Sequence, residues 1–275
     1  TGGHGDMRKK EYIEHCGCAY SGNITKVVDG VNEIRKAIRE EFRKGANHIK
    51  IFLSGGVSTN LAPLEMPHFS DEEILTAVQE AQRRNSYVMA HCHTDEGAVR
   101  CVNLGIRSIE HGSLISLKTA KLISQKKNTY VVPTLSAGQL IESMGTKLGL
   151  EESSLEKVKE VNLKRNKAIE NCVKAGVKLG LGSDLHGRQY LENQSKELIL
   201  RSRMQKNVDV LKSATSINAE IMQMKNKLGV IKVGALADII LWNDNPIKNI
   251  NIFNNPKKHL LLIIKDGKIN LNKIN

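Results

Sequence analysis

The sequence predicts an α/β protein whose body is a series of parallel strands, each followed by a helix, with a small β segment appended at the C-terminal end. Three observations carry this expectation. Short apolar runs recur at 49–53, 87–91, 107–111, 130–134 and 177–184, and each is near-continuously apolar, as befits a strand covered on both faces. Each run is followed by a loop and a helix-like stretch, the alternation expected of a parallel sheet or barrel. After Lys227 the helical periodicity stops and only turn and strand signals remain.

The elements follow in order. The first run, Ile49-Lys50-Ile51-Phe52-Leu53, is a strand interrupted by one lysine. Phe69-Ser70-Asp71-Glu72-Glu73-Ile74 opens a helix: Ser70 is the N-cap, Glu73 its capping-box partner, and Phe69 and Ile74 occupy the staple positions. This helix is expected to run to about Arg84, with Asn85 suited to ending it. A second helix covers 95–104, and Gly105 stands where a left-handed cap is expected. A long helix fills 153–175 and ends at Gly176. In the tail, 229–242 reads as turn, strand, turn, strand, and 260–264 is another strand. Lys265-Asp266-Gly267-Lys268 reads as a hairpin turn into a last short strand. We expect a domain boundary near 224, dividing this α/β body (1–223) from the appended β-structure (224–275).

Composition narrows the class. At 275 residues and 40% hydrophobic, the chain can bury a sizeable core, and with aromatics at 4% that core must be aliphatic. The net charge of +12 raises nucleic acid or an anionic membrane as partners. The lysines are scattered along helices, as at Lys157, Lys159, Lys164 and Lys167, and no basic stretch is interleaved with aromatics, so neither partner is expected. Five cysteines, Cys16, Cys18, Cys92, Cys101 and Cys172, form no disulfide framework, and Cys16-x-Cys18 is too tight for a zinc knuckle. They read as reduced thiols, and a cytoplasmic location is expected. No signal peptide or apolar run of spanning length is visible.

Four side chains fall in or just past the strand ends: Lys50, His91, His111 and Asp184. In a barrel of parallel strands that face carries the active site. Lys50 is hard to bury unpaired; alternatively it points to water from an edge strand. His91 and His93 stand two apart, so they face the same side of one strand, and His111 ends the next. Neutral imidazole and carboxylate are metal ligands. Asp184 serves equally well as an N-cap.

Taken together, Thr1-Gly2-Gly3-His4-Gly5-Asp6, Ile49-Lys50-Ile51-Phe52-Leu53-Ser54-Gly55-Gly56-Val57, Ala90-His91-Cys92-His93, Ile109-Glu110-His111-Gly112, Gly182-Ser183-Asp184 and Gly234-Ala235-Leu236-Ala237-Asp238 occur in one order over nearly the whole chain. They resemble the amidohydrolase superfamily, in its imidazolonepropionase-like and Xaa-Pro dipeptidase-like branch. The resemblance implies a (β/α)8 TIM-type barrel that carries two divalent metal ions, zinc by default. It implies that Lys50 is carboxylated and bridges the metals, that His91 and His111 bind the second metal, and that Asp184 binds the first metal and shuttles a proton. His4 and His93 resemble substrate-contacting positions. The implied activity is hydrolysis of an amide bond by a metal-bridging hydroxide, in a dipeptide, an N-acyl amino acid or another small molecule, with a homo-oligomer left open.

The family's first strand also carries a His-x-His pair, and none precedes Lys50. With five clear strands against eight for a closed barrel, and Thr1 in place of Met, we expect an N-terminally truncated, incomplete barrel and a partial β-sandwich. A second reading is then a catalytically inactive remnant that keeps the fold and binds a partner.

Overall fold

The computed structural model describes residues 3–5, 25–58, 62–145, 147, 150 and 152–274. Thr1, Gly2, Asp6, Cys16 and Cys18 lie outside the described residues. The other three cysteines, Cys92, Cys101 and Cys172, are buried free thiols.

The body is one parallel sheet of four strands in the order β1-β2-β3-β4: β1 (Ile49–Phe52), β2 (Val88–Cys92), β3 (Ser108–His111) and β4 (Tyr130–Val132). Register fixes two faces. Ile51, Ala90, Ile109 and Val131 lie in one row and face the helices. Lys50, Met89, Ser108 and Tyr130 form a row on the other face, and Phe52, His91, Glu110 and Val132 form the next. The strands are apolar on the covered face because that face meets helices and no water.

Those helices are α1 (Gly30–Arg43), α2 (Asp71–Gln82), α3 (Asp95–Leu104), α4 (Leu117–Ser124), α5 (Leu135–Met144) and α6 (Glu152–Ala175). Ile34, Ala37 and Ile38 are buried at helical spacing on α1, and Ile34 and Ile38 join the same core as Ile74, Ala77 and Ala81 of α2. The Ser70 hydroxyl accepts from Glu73 N–H at 3.3 Å while the Glu73 carboxylate accepts from Ser70 N–H at 2.6 Å. The helix stops at Gln82 with Arg83 as its C-cap, short of the expected Arg84, and Asn85 takes φ 53° in the turn that follows. Thr94 caps α3 through Gly97 N–H, and Gly105 closes it at φ 84°. Gly176 takes φ 76° directly after α6.

The expected strand at 177–184 is corrected to a single parallel bridge, Val131 to Leu179. Val131 N–H donates to Lys178 O and Gly180 N–H to Val131 O, and pairing then stops. The reason is local. Both backbone groups of Leu181 are taken by the Asn218 side chain, its Oδ1 accepting the N–H at 3.0 Å and its Nδ2 donating to the carbonyl at 2.8 Å. The run 130–134 is cut short in the same way, since Pro133 has no N–H to give a ladder and Thr134 is already the N-cap of α5.

Beyond this segment come α7 (Gly187–Asn193), α8 (Lys196–Arg201), α9 (Asn207–Lys212) and α10 (Asn218–Ile221), the last two joined by a π-helical turn over Ser213–Ile217. An antiparallel sheet of order β5-β6-β7 follows, from β5 (Ile239–Trp242), β6 (Leu260–Lys265) and β7 (Lys268–Asn272). Asp266 and Gly267, at φ 50° and 73°, make the left-handed turn that matches hairpin twist. The strand expected just after Gly229 does not form: Ile231 and Val233 are 89% and 100% exposed and pair with no strand among the described residues. Between β5 and β6, Ile250, Ile252 and Phe253 pack with Val210 of α9, and Trp242 meets Phe253 edge-on at 4.7 Å.

Candidate functional site

The C-terminal ends of β2 and β3 bring three imidazoles together. His91 is on β2, His93 lies one residue past it, and His111 ends β3. Their ligand nitrogens all lie within 4.8 Å of one another. The rings of His93 and His111 stack at 4.7 Å, and both meet the His91 ring edge-on at 4.8 and 4.6 Å. His4 adds a fourth ring, 4.2 Å from His91.

Each ring is held by one polar partner. His91 Nε2 donates to the Gly55 carbonyl at 3.1 Å. A carbonyl can only accept, so the neutral ring carries its proton there and leaves Nδ1 with a lone pair. His93 Nδ1 lies 3.0 Å from the Ser113 hydroxyl and His111 Nδ1 lies 2.6 Å from the Thr134 hydroxyl. Those bonds leave each Nε2 available. The Ser54 hydroxyl accepts from His93 N–H at 3.0 Å and ties the loop after β1 to this strand end. Glycine is required here: a Cβ on Gly56 would stand 2.2 Å from the His4 ring.

Electrostatics keep the rings neutral. Burial pushes His93 down to about 3, and the neighbouring His4 and Lys50 oppose a positive charge there in the same direction. Burial likewise takes His4 down to about 4, and takes His91 and His111 well below the usual imidazole range. A cluster of neutral imidazoles presents lone pairs to a cation. The chemistry of the donor set therefore fits a divalent metal, and the buried His4 Nδ1, which has no hydrogen-bond partner, is a further waiting donor or acceptor at the same place.

The remaining expected residues surround this cluster. Lys50 lies on the same sheet face as His91, on edge strand β1, with an exposed side chain whose Nζ is 5.6 Å from the Phe52 ring. Its charge reaches His93, His111, Glu110 and Asp184. Asp184 takes φ 54°, keeps 47% of its side chain exposed and stands 4.0 Å from His186. The N-cap of α7 is His186, so Asp184 caps no helix. Partial burial holds the Asp184 carboxyl above its ordinary range, against the pull of Lys50 and His186.

His4, the three imidazoles and Asp184 line one cavity of about 70 Å³, room for a couple of waters. Its other wall is apolar, with Leu135, Ile141, Val158, Val161 and Ile169, and carries Arg165 and Asn162. Several contributors were not singled out from sequence. Ser113 and Thr134 orient the rings, and the buried Glu110 sits beside His91 on the inner face with Oε1 unpartnered. The signal for Ser113 and Thr134 was their position just past a strand end; Glu110 carried none beyond its place in the Ile-Glu-His-Gly motif.

Comparison with known proteins gives the context. The model of the amidohydrolase family matches residues 6–269. Ochratoxinase from Aspergillus niger is 32% identical over 247 residues, 88% of this chain and 50% of that protein. A prolidase solved with N-methylphosphonate-L-proline superposes with a TM-score of 0.93 at 38% identity, covering 98% of this chain and 66% of the other. A Xaa-Pro dipeptidase with methionine in its active site superposes with a TM-score of 0.79 at 30% identity, covering 90% and 60%. The chain spans about half the length of the curated relatives it matches. Among the described residues no helix is long and apolar enough to cross a membrane.

Proposed function

We propose that this chain, which belongs to the amidohydrolase family, is part of a metal-dependent hydrolase that cleaves the amide bond of a dipeptide or N-acyl amino acid. The observation that carries this reading is the set of neutral imidazoles from His91, His93 and His111 at the ends of adjacent parallel strands. The relatives support the substrate class: a prolidase bound to a proline analogue, a Xaa-Pro dipeptidase and an ochratoxinase. On the same basis the four parallel strands belong to a (β/α)8 barrel, and residue 224 divides it from a β-sandwich segment.

His91 and His111, with Asp184 and a carboxylated Lys50, would hold two divalent ions, zinc by preference. His93 lies within the same imidazole cluster and would either join them or meet the substrate with His4. When bound, such ions polarise a carbonyl and acidify water. The chain's own groups do the rest. Asp184, half-exposed at the cavity mouth and raised above the ordinary carboxylate range, is placed to take a proton at its carboxylate and return it to the leaving nitrogen. Ser113 and Thr134 fix the ring planes. The apolar wall from Leu135 to Ile169 excludes water from the acyl side.

The test is elemental analysis of the purified protein after growth with zinc, followed by hydrolysis of Xaa-Pro dipeptides. One or two equivalents of zinc and measurable release of proline are expected. Lys50→Ala should lower the metal content, and Asp184→Asn should cut turnover by a factor of about 10²–10⁴ while leaving zinc bound in the His cluster. Absence of metal from folded protein, or undiminished turnover in Asp184→Asn, overturns the reading.

A further inference from the structure

Two charges inside the protein take no part in the site described above. Glu197 and Arg201 stand four residues apart on α8, and both are 0% exposed. Glu197 Oε2 accepts from the backbone N–H and from the hydroxyl of Ser136, each at 2.8 Å. Arg201 Nη1 donates to the Gly180 carbonyl at 2.9 Å, and its Nε donates to Gln205 Oε1 at 2.7 Å. Ser136 is the second residue of α5, two after Thr134, whose hydroxyl meets His111. Gly180 bonds β4 through Val131 and lies four residues before Asp184. One helix thus grips both segments that end in site residues.

Stability alone is a poor reason to keep this pair. Removing two charges from water costs several kcal/mol per ion, and well-packed apolar side chains of similar volume often serve stability as well or better. The pair is not perfected as an ion pair either, since Glu197 Oε1 and Arg201 Nη2 have no hydrogen-bond partner. What the two groups do make well are their bonds to Ser136 and Gly180.

We propose that Glu197 and Arg201 are positioning residues: Glu197 fixes the turn that presents Thr134 to His111, and Arg201 fixes the segment that presents Asp184. The functional meaning rests on the reading of His111 and Asp184 as site residues. The geometry of the clamp does not, and the experiment separates the two.

Histidine nitrogen–proton NMR of the metal-free chain reads the tautomer of His111, and competition with a chelator reads zinc affinity. The variant Glu197→Leu/Arg201→Met removes both charges at similar volume. Its His111 signals should change from a single tautomer to exchange between two, and its zinc Kd should rise by about tenfold or more, the scale of lost support behind a metal ligand. Ser136→Ala, a change too small to prevent folding, should raise the zinc Kd by a few-fold and move the His111 signals in the same direction. Glu197→Gln keeps an acceptor for Ser136 and should retain the wild-type His111 spectrum. Wild-type His111 signals in Ser136→Ala, or in a folded double variant, overturn the clamp. A wild-type chain that binds no zinc overturns the metal reading, and the His111 signals still decide the clamp.

Discussion

Thr134→Val probes the support of the proposed metal-binding histidines at one atom. Valine keeps the β-branched shape of threonine and loses only the hydroxyl. Thr134 is the N-cap of α5, yet its side chain makes no capping bond, so the helix start is not what changes. What is lost is the 2.6 Å bond to His111 Nδ1. In the tautomer that turns its Nε2 lone pair to the cluster, the ring carries its proton on Nδ1, and valine leaves that N–H with no acceptor, packed against His91 and His93. Leaving a buried donor unpaired costs about 1–3 kcal/mol; His111 keeps some exposure, so about 1–2 kcal/mol applies. Tautomer exchange is the cheaper escape: the ring can move its proton to Nε2, which withdraws the lone pair that faces the cluster. The cost therefore falls on zinc affinity, and about 1–2 kcal/mol corresponds to a 5- to 30-fold rise in Kd. The assay is chelator competition with wild type, Thr134→Val and Thr134→Ser side by side. Serine restores the hydroxyl and should restore affinity. A zinc Kd for Thr134→Val within twofold of wild type, with the serine variant no different, refutes the assigned role of this bond.

Two further predictions concern stability. Glu80 of α2 is buried under arginines: Arg39 Nε and Nη2 donate to its two oxygens at 2.9 and 2.8 Å, and Arg83 and Arg84 add bonds at 3.3 and 3.2 Å. These bonds hold its carboxyl down to about 2, Arg39 contributing most. Because the folded value lies below the unfolded one, the stabilisation is complete above the unfolded pKa near 4.5 and is lost as pH falls through about 2. The arginines are themselves half-exposed, so we expect Glu80 to contribute about 1–2 kcal/mol, read as a fall in the urea midpoint between pH 5 and pH 2 that is smaller by that amount in Glu80→Gln. His111 holds φ 76°, where a side chain costs about 1–2 kcal/mol and glycine costs little. His111→Gly should therefore be more stable than His111→Ala in the metal-free protein, the reverse of the usual order, and an alanine variant of equal or greater stability removes the claim of strain.

What the sequence made legible was local. Ser70 with Glu73, Asn85, Gly105, Gly176 and Asp266-Gly267 each act within a few residues, and each stands where its chemistry places it. The four parallel strands were legible because the face covered by helices is apolar and the other face adds only a few polar side chains to each short run. The segment 177–184 was misread because its pairing is decided by Asn218, which lies far along the chain and competes for the backbone of Leu181. The run at 230–233 has strand composition but pairs with no strand among the described residues. At the site, the histidines could be found from their place at strand ends. That His93 lies within the same cluster as His91 and His111 required the turn past β2, where Ser54 and Leu114 hold the backbone of residue 93. Glu197 and Arg201 stand at the i,i+4 spacing that exposed helix pairs commonly have, so nothing in the sequence marks them, and only packing reveals that neither sees solvent.

The sheet carries its costs at one end. On the helix-facing side Ile51, Ala90, Ile109 and Val131 pack with aliphatic partners and leave nothing polar to satisfy. At the C-terminal end, by contrast, His111 and Asp184 hold left-handed backbone, His4 Nδ1 and Glu110 Oε1 are buried without partners, and four imidazoles are crowded into the neutral state. Strain, orphaned polar atoms and displaced titration each weaken a fold, and a random scatter of them would be read as imperfection. Their coincidence over a few ångströms, on residues from separate strands that share no sequence neighbourhood, requires a common cause. A cation that accepted the imidazole lone pairs, as proposed above, would remove much of that penalty at once and tie the strand ends to one another. Metal binding should then be felt as stability of the β2, β3 and β4 ends together, since Gly55, Ser113 and Thr134 link each ring to a different loop.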